Sequence, residues 1–226
     1  MYKTVIFDLD GTLLDTIEDL AAAGNFVCRS FGWAEYTTDD YKAMVGHGID
    51  NLLAHITPPD TWREPQQVLE RFNLIYRVRS RDRTRPYPGI PEMLARLDAD
   101  GVQMAVYSNK PDEFTTALIG SFYPGVFSLV QGKKEDIPVK PDPTGLHKIL
   151  ETLHASPSET LFVGDSSTDV RTGHNAGLPV CAVTWGYRSR ESLERVRPEA
   201  IADDAATLEA VIRQGVARKT ESAELP

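Results

Sequence analysis

Short apolar runs punctuate the chain at Val5–Phe7, Val102–Tyr107, Val126–Val130, Leu161–Val163 and Val180–Val183, and the segments between them carry apolar residues at helical spacing. Runs of this length without polar alternation belong to strands buried on both faces, because helices cover both sides of the sheet they form. The pattern predicts an α/β protein with a doubly wound parallel sheet.

Between Asp15 and Arg85 the strand signal disappears. Helical stretches follow one another there at Thr16–Ser30, Thr38–Met44, Ile49–Ile56 and Pro65–Arg83, with Pro58-Pro59 as an internal break. Pro86-Tyr87-Pro88-Gly89 marks the return to the α/β pattern. The expected organisation is an α/β core of residues 1–14 and 86–226, interrupted by a small helical domain of residues 15–85. Both ends of the insertion meet near the first strand, so it is expected to sit over that strand's exit as a lid rather than hang as a remote appendage. Residues Gly215 to Pro226 are polar and aperiodic, the pattern of a frayed tail.

Composition narrows the function classes. The 226 residues carry a net charge of −9, which gives no footprint for nucleic acid or an anionic membrane. An anionic substrate then needs local cations or a metal. No apolar run approaches the ~18 residues of a membrane span, and no apolar signal core opens the chain, so the expected location is the cytoplasm. Cys28 and Cys181 lie far apart without metal-ligand spacing and are expected as buried, reduced thiols. A monomer or a homodimer is expected.

The candidate chemistry lies at the ends of the predicted strands. Asp8-Leu9-Asp10-Gly11-Thr12 follows the first run, and side chains at i and i+2 of an extended segment lean to one side while Leu9 turns away. One carboxylate can attack phosphorus while the other handles a proton, although Asp, Gly and Thr are also ordinary turn residues. Ser108-Asn109-Lys110 ends the second run and offers a hydroxyl and an amide to phosphate oxygens, or a cap to the next helix. In Lys140-Pro141-Asp142-Pro143 two prolines hold a lysine whose ammonium can neutralise an anionic ester and a carboxylate nucleophile together. Gly164-Asp165-Ser166-Ser167-Thr168-Asp169 follows the fourth run and supplies hard oxygen ligands of the kind Mg²⁺ prefers, with Asp169 binding directly or through water. The same acids are also suited to capping the following helix. Ligand sites of open parallel sheets form beyond the carboxyl ends of the strands, which is where all four segments fall.

Asp8, Asp10, Ser108, Lys140, Asp165 and Asp169, in that order, resemble the motifs of the haloacid dehalogenase superfamily, and the likeness spans nearly the whole chain. The resemblance implies a Rossmann-like core with an inserted helical cap. It implies that Asp8 is a nucleophile forming an aspartyl-phosphate, and that Asp10 protonates the leaving oxygen and then activates water. It further implies Mg²⁺ held by Asp8, the backbone carbonyl of Asp10 and Asp165, with Asp169 supporting the metal and Ser108, Asn109 and Lys140 holding phosphate. A free Asp has a pKa near ~3.9, so Asp10 needs a raised value or a hydrogen bond to keep its proton. Dehalogenase members lack an acid two residues after the nucleophile, so the expected partner is a small-molecule phosphoester.

The helical insertion resembles the small cap of the branch that holds phosphoglycolate phosphatases and β-phosphoglucomutases. Val45-Gly46-His47-Gly48-Ile49-Asp50-Asn51 is similar to the glycine-flanked cap loop of the phosphatases, and His47 is a candidate substrate contact. Mutase relatives carry an arginine where this chain has Ile49. Arg77, Arg79, Arg81, Arg83 and Arg85 form a basic stretch that reads foremost as a solvated, charge-balanced helix end. Trp185-Gly186-Tyr187-Arg188 resembles the family's loop after the fifth strand, where core packing accounts for Trp185 equally well. The expected activity is therefore a phosphoglycolate phosphatase. A phosphosugar phosphatase or phosphomutase is the enzyme alternative, and a phosphate-binding interaction protein the non-enzyme one.

Overall fold

In the computed structural model, which describes residues 1–59 and 65–216, the chain leaves the core almost at once. After β1 (Thr4–Phe7) it makes the two-residue strand β2 (Leu14–Asp15), runs through helices α1 (Ile17–Phe31), α2 (Thr38–Met44), α3 (Ile49–Ile56) and α4 (Pro65–Arg79), and returns through β3 (Arg85–Pro86). β2 and β3 pair antiparallel, Leu14 with Pro86 and Asp15 with Arg85, so the helical excursion begins and ends at one two-stranded stem. The rest of the chain is α5 (Ile90–Ala99), β4 (Gln103–Pro111), α6 (Asp112–Phe122), β5 (Leu129–Lys133), α7 (Thr144–Thr152), β6 (Thr160–Gly164), α8 (Ser167–Asn175), β7 (Val180–Val183), α9 (Arg190–Arg195), β8 (Ala200–Ala202) and α10 (Ala205–Gln214).

β1 is a central strand of a parallel six-stranded sheet in the order β5-β4-β1-β6-β7-β8. The chain fills one side of β1 with β4 and β5, then crosses back to fill the other, which opens a crevice at the carboxyl end of β1. Alternation assigns the side chains: Val5 and Phe7 enter one apolar layer with α5, α6 and α10, while Ile6 enters the opposite layer with α7, α8 and α9. Continuous apolar runs are thus the sequence form of a strand buried on both faces. A third apolar cluster, built from Leu20, Val27, Tyr41, Leu53, Phe72 and Tyr76 among others, belongs to the four inserted helices and takes Phe114 from α6.

Three elements differ from the sequence expectation. The third run is expected at 126–130, but β5 lies at Leu129–Lys133, because Val126 closes a turn onto the Tyr123 carbonyl and Phe127 packs edge-on against Phe7 and Tyr123. β8 has three residues, too few for a periodic signal. α4 stops at Arg79 rather than Arg83, since the N–H groups of Arg83 and Thr84 are claimed by Asp19 of α1. The tail beyond residue 216 lies outside the described residues. Cys28 and Cys181 are buried and unpaired, and no described helix is long and apolar enough to cross a membrane.

Asp19 is the tie that closes the stem. Its carboxylate, 3 % exposed, accepts from the Arg83 N–H at 3.1 Å to each oxygen, and from the Thr84 N–H and hydroxyl at 2.8 Å each. Asp19→Asn sets an amide donor against these donors. It is expected to lower stability by about 2–3 kcal/mol, read as a shift in the urea denaturation midpoint.

Candidate active site

Beyond β1 the backbone turns sharply: the Leu9 carbonyl receives the N–H groups of Thr12, Leu13 and Leu14, and Gly11 has φ 81°. The Leu9 side chain enters the core while Asp8 and Asp10 both line a cleft that encloses about 570 Å³, open solvent included. Ser108, Asn109 and Lys110 at the end of β4, Lys140 before α7, and Asp165 and Ser166 after β6 line the same cleft, so the separate strand-end segments converge. Leu20, Val45, Gly46, Gly48, Ile49 and Leu52 of the inserted helices form its opposite wall.

Lys140 is the electrostatic hub. Its ammonium lies 2.9 Å from Asp8 Oδ1 and 2.6 Å from Asp169 Oδ1, and it reaches the Tyr107 carbonyl at 3.4 Å. Burial works against the Lys140 charge, yet Asp169 and Asp8 outweigh it and raise its pKa. Asp8 is held with its backbone N–H on the Val163 carbonyl. Burial lifts the Asp8 carboxyl to about 7 in spite of Lys140, and the nearby Asp169 and Asp10 push the same way. Burial, Asp169 and Asp8 likewise carry Asp165 well above the usual carboxylate range, although the Tyr187 N–H donates to its Oδ2 at 2.7 Å.

Asp10 has a different environment. Lys110 donates to both of its oxygens at 2.8 Å, and the Thr16 hydroxyl donates to Oδ1 at 2.5 Å. Thr16 stands at the start of α1, so its hydroxyl serves the carboxylate instead of capping the helix. The phenol oxygen of Tyr187 accepts the Thr16 N–H at 3.0 Å. Lys110 also stacks over the ring of Tyr76 from α4, at 5.0 Å. Sequence reasoning gave Lys110 no role, because a lysine following Ser-Asn reads as the start of a helix. Its pairing with a residue a hundred positions earlier has no local signal.

Two candidates are used otherwise than expected. Asn109 lines the cleft with its amide already engaged: Nδ2 donates to the Gly46 carbonyl at 3.0 Å and the Lys140 carbonyl at 3.2 Å, while Oδ1 accepts the Lys140 N–H at 2.8 Å. Both donors are spent, so the side chain clamps the lysine loop. His47 is exposed and points its ring at the Thr168 hydroxyl, 3.4 Å away, and is not among the described residues that line the cleft. Asp169 is fully buried and accepts from the Ser166 N–H and hydroxyl in a capping box at the start of α8. The expected cap role is present, and the same carboxylate also pairs with the Lys140 ammonium. The arginines of residues 77–85 are occupied elsewhere, Arg77 by Glu113, Arg79 by Asp82 and Arg83 by Glu18.

The donor set suits a divalent cation. Asp8, Asp165 and Asp169 bring carboxylate oxygens within 4.8 Å of one another. Asp8 Oδ1 is buried, with the Lys140 ammonium 2.9 Å away. Four carboxylates face two ammonium groups here, and hard oxygens with surplus negative charge are what a hard cation requires. Close packing holds the acids still: a Cβ on Gly186 would lie 2.4 Å from Asp165 Oδ2 and 2.4 Å from the Gly11 carbonyl.

The sequence profile described as haloacid dehalogenase-like hydrolase matches residues 5–183. A phosphoglycolate phosphatase of Aquifex aeolicus is 34% identical over 186 residues, 82% of this chain and 86% of its own. One from Haemophilus influenzae is 30% identical over 220 residues, 93% of this chain and 98% of its own. A crystal structure from Lactobacillus delbrueckii, provisionally assigned as a phosphoglycolate phosphatase, superposes with a TM-score of 0.87 at 32% identity, covering 93% of this chain and 98% of that one.

Because the Asp8 pKa is raised to about 7, the carboxyl holds its proton below that pH and a cation must displace it. Binding of Mg²⁺ or Mn²⁺ to the free protein is therefore expected to tighten from about pH 6 to about pH 8, with protons released. Titration calorimetry in buffers of different ionisation enthalpy reads both.

Proposed function

The chain belongs to the haloacid dehalogenase-like hydrolases, and from that membership we propose that it is a Mg²⁺-dependent phosphatase that converts 2-phosphoglycolate to glycolate and phosphate. The reading is carried by one arrangement: Asp8 and Asp10 side by side at the end of a central strand, lining one cleft with Ser108 and with Lys140, whose ammonium lies 2.9 Å from Asp8. Relatives named for this activity, 30 to 34% identical over most of the chain, support the substrate.

In the proposed reaction an Asp8 carboxylate oxygen attacks phosphorus, the bond from phosphorus to the glycolate oxygen breaks, and Asp10 gives that oxygen a proton. Asp10 then takes a proton from water as the water oxygen attacks phosphorus, and the bond to Asp8 breaks to free phosphate. Lys110 and Thr16 hold Asp10 in one place for both transfers. Lys140 lowers the repulsion between Asp8 and the ester, and the Ser108 hydroxyl donates to a phosphoryl oxygen. Asp8, Asp165 and the backbone carbonyl of Asp10 would hold Mg²⁺, whose charge would balance the phosphoryl oxygens.

Residues 15–85 act in this reading as a cap that excludes water while Asp8 carries phosphate. The cap wall is apolar where it meets the cleft, Ile49 included, which favours a small substrate and gives no cation for the far phosphate of a sugar bisphosphate. This weighs against a phosphomutase. Two unpaired cysteines suit a reducing compartment, in keeping with a cytoplasmic enzyme.

Phosphate release from a panel of phosphoesters tests the proposal. The wild type with Mg²⁺ is expected to turn over 2-phosphoglycolate in preference to phosphosugars and nucleotides. Asp8→Asn should lower kcat by about 10³-fold or more, and chelation should abolish turnover until Mg²⁺ is restored. Isomerised phosphosugar without phosphate release would contradict it.

A further inference from the structure

A substrate of the proposed kind carries a second anion one methylene from its phosphoester. Inside a cleft closed by apolar residues that carboxylate loses its water and needs a cation of its own. Leu20, Val45, Gly46, Gly48, Ile49 and Leu52 supply none. Lys140 is already engaged by Asp8 and Asp169, and Lys110 gives a hydrogen bond to each oxygen of Asp10.

Arg188, in the loop after β7, also lines the cleft; its hydrogen-bond partners are neutral carbonyls, and its charge acts on the Asp165 carboxyl in the direction that lowers its pKa. Nη1 donates to the Lys42 carbonyl, and Nη2 donates to the carbonyls of Ala43 at 3.4 Å and Val45 at 2.7 Å, all at the end of α2. Carbonyls at a helix carboxyl end attract a guanidinium, so the side chain is held in a set direction without losing its charge to a carboxylate. Three of the five N–H donors are used, and two have no acceptor among the described residues.

We infer that Arg188 binds the carboxylate of the substrate and so sets the preference for 2-phosphoglycolate over neutral esters, an inference that rests on the phosphoglycolate reading above. Its planar fork suits a carboxylate, and the backbone of α2 positions it before the substrate arrives. The same contacts also fasten the inserted helices to the core, which is the competing role for this residue.

The test compares wild type, Arg188→Gln and Arg188→Lys on 2-phosphoglycolate and on 2-hydroxyethyl phosphate, in which a carbinol replaces the carboxylate. For Arg188→Gln the loss in kcat/KM on 2-phosphoglycolate should exceed the loss on the neutral ester by about 30-fold, mainly through KM, with Arg188→Lys in between. Equal losses on the two esters would assign Arg188 to fastening the helices and overturn the inference, as would a wild-type preference that survives in Arg188→Gln. A wild type that does not distinguish the esters would remove the phosphoglycolate reading itself, and the inference with it. Should Arg188→Gln fail to fold, Arg188→Lys carries the same comparison, since it keeps a donor for the α2 carbonyls.

Discussion

Four carboxylates, those of Asp8, Asp10, Asp165 and Asp169, are crowded with two ammonium groups into one crevice at the end of β1. Removing such charges from water costs several kcal/mol each unless every one finds a partner. Much of the surrounding structure supplies those partners. Lys140 spans Asp8 and Asp169, Lys110 takes both oxygens of Asp10, and the Tyr187 N–H takes Asp165. The capping box of α8 satisfies the rest of Asp169. Burial is the main reason that two of the acids, Asp8 and Asp165, still have raised pKa values, and repulsion from Asp169 adds to it. A divalent cation held between these carboxylates would offset part of their negative charge before a phosphate ester arrives.

The inserted helices are fastened to this site by polar contacts at its edge as well as by packing. Asp19 closes the stem, Asn109 reaches the Gly46 carbonyl, and Arg188 holds the end of α2. Thr16, at the first turn of α1, touches Asp10 directly, and Lys110 lies against Tyr76. Each contact joins a residue of the cleft or its stem to a helix that covers the cleft. The position of Asp10 and that of the covering helices therefore depend on shared contacts.

Much of the fold was legible because buried parallel strands leave unbroken apolar runs, and the acids follow those runs directly. Asp8 and Asp10 directly follow Val5–Phe7, so alternation predicts that both lean to one side, and the later strand-end segments weigh against reading the stretch as a turn alone. β8 was illegible because three residues carry no period, and β5 slid by three positions because Val126 and Phe127 are apolar for reasons of turn packing. Lys110 and Arg188 stand in segments the sequence singles out, yet their contacts had no local signal, for a common physical reason. Their partners, Asp10 and the α2 carbonyls, lie a hundred or more positions away, and a carbonyl has no sequence signature at all. The contacts of Asn109 were not legible, because an amide binds a backbone carbonyl as readily as a phosphate oxygen and the sequence carries nothing of the loop geometry around Lys140.

The central claim is that Asp8 becomes covalently phosphorylated, and acid quenching within the first turnover tests it most directly. Peptide mass spectrometry of the quenched enzyme should find the mass of one phosphoryl group on the segment holding Asp8, absent in Asp8→Asn and absent without substrate. Turnover of the same ester with no phosphoryl group on Asp8 at any quench time, or with the label on another residue, would contradict the account.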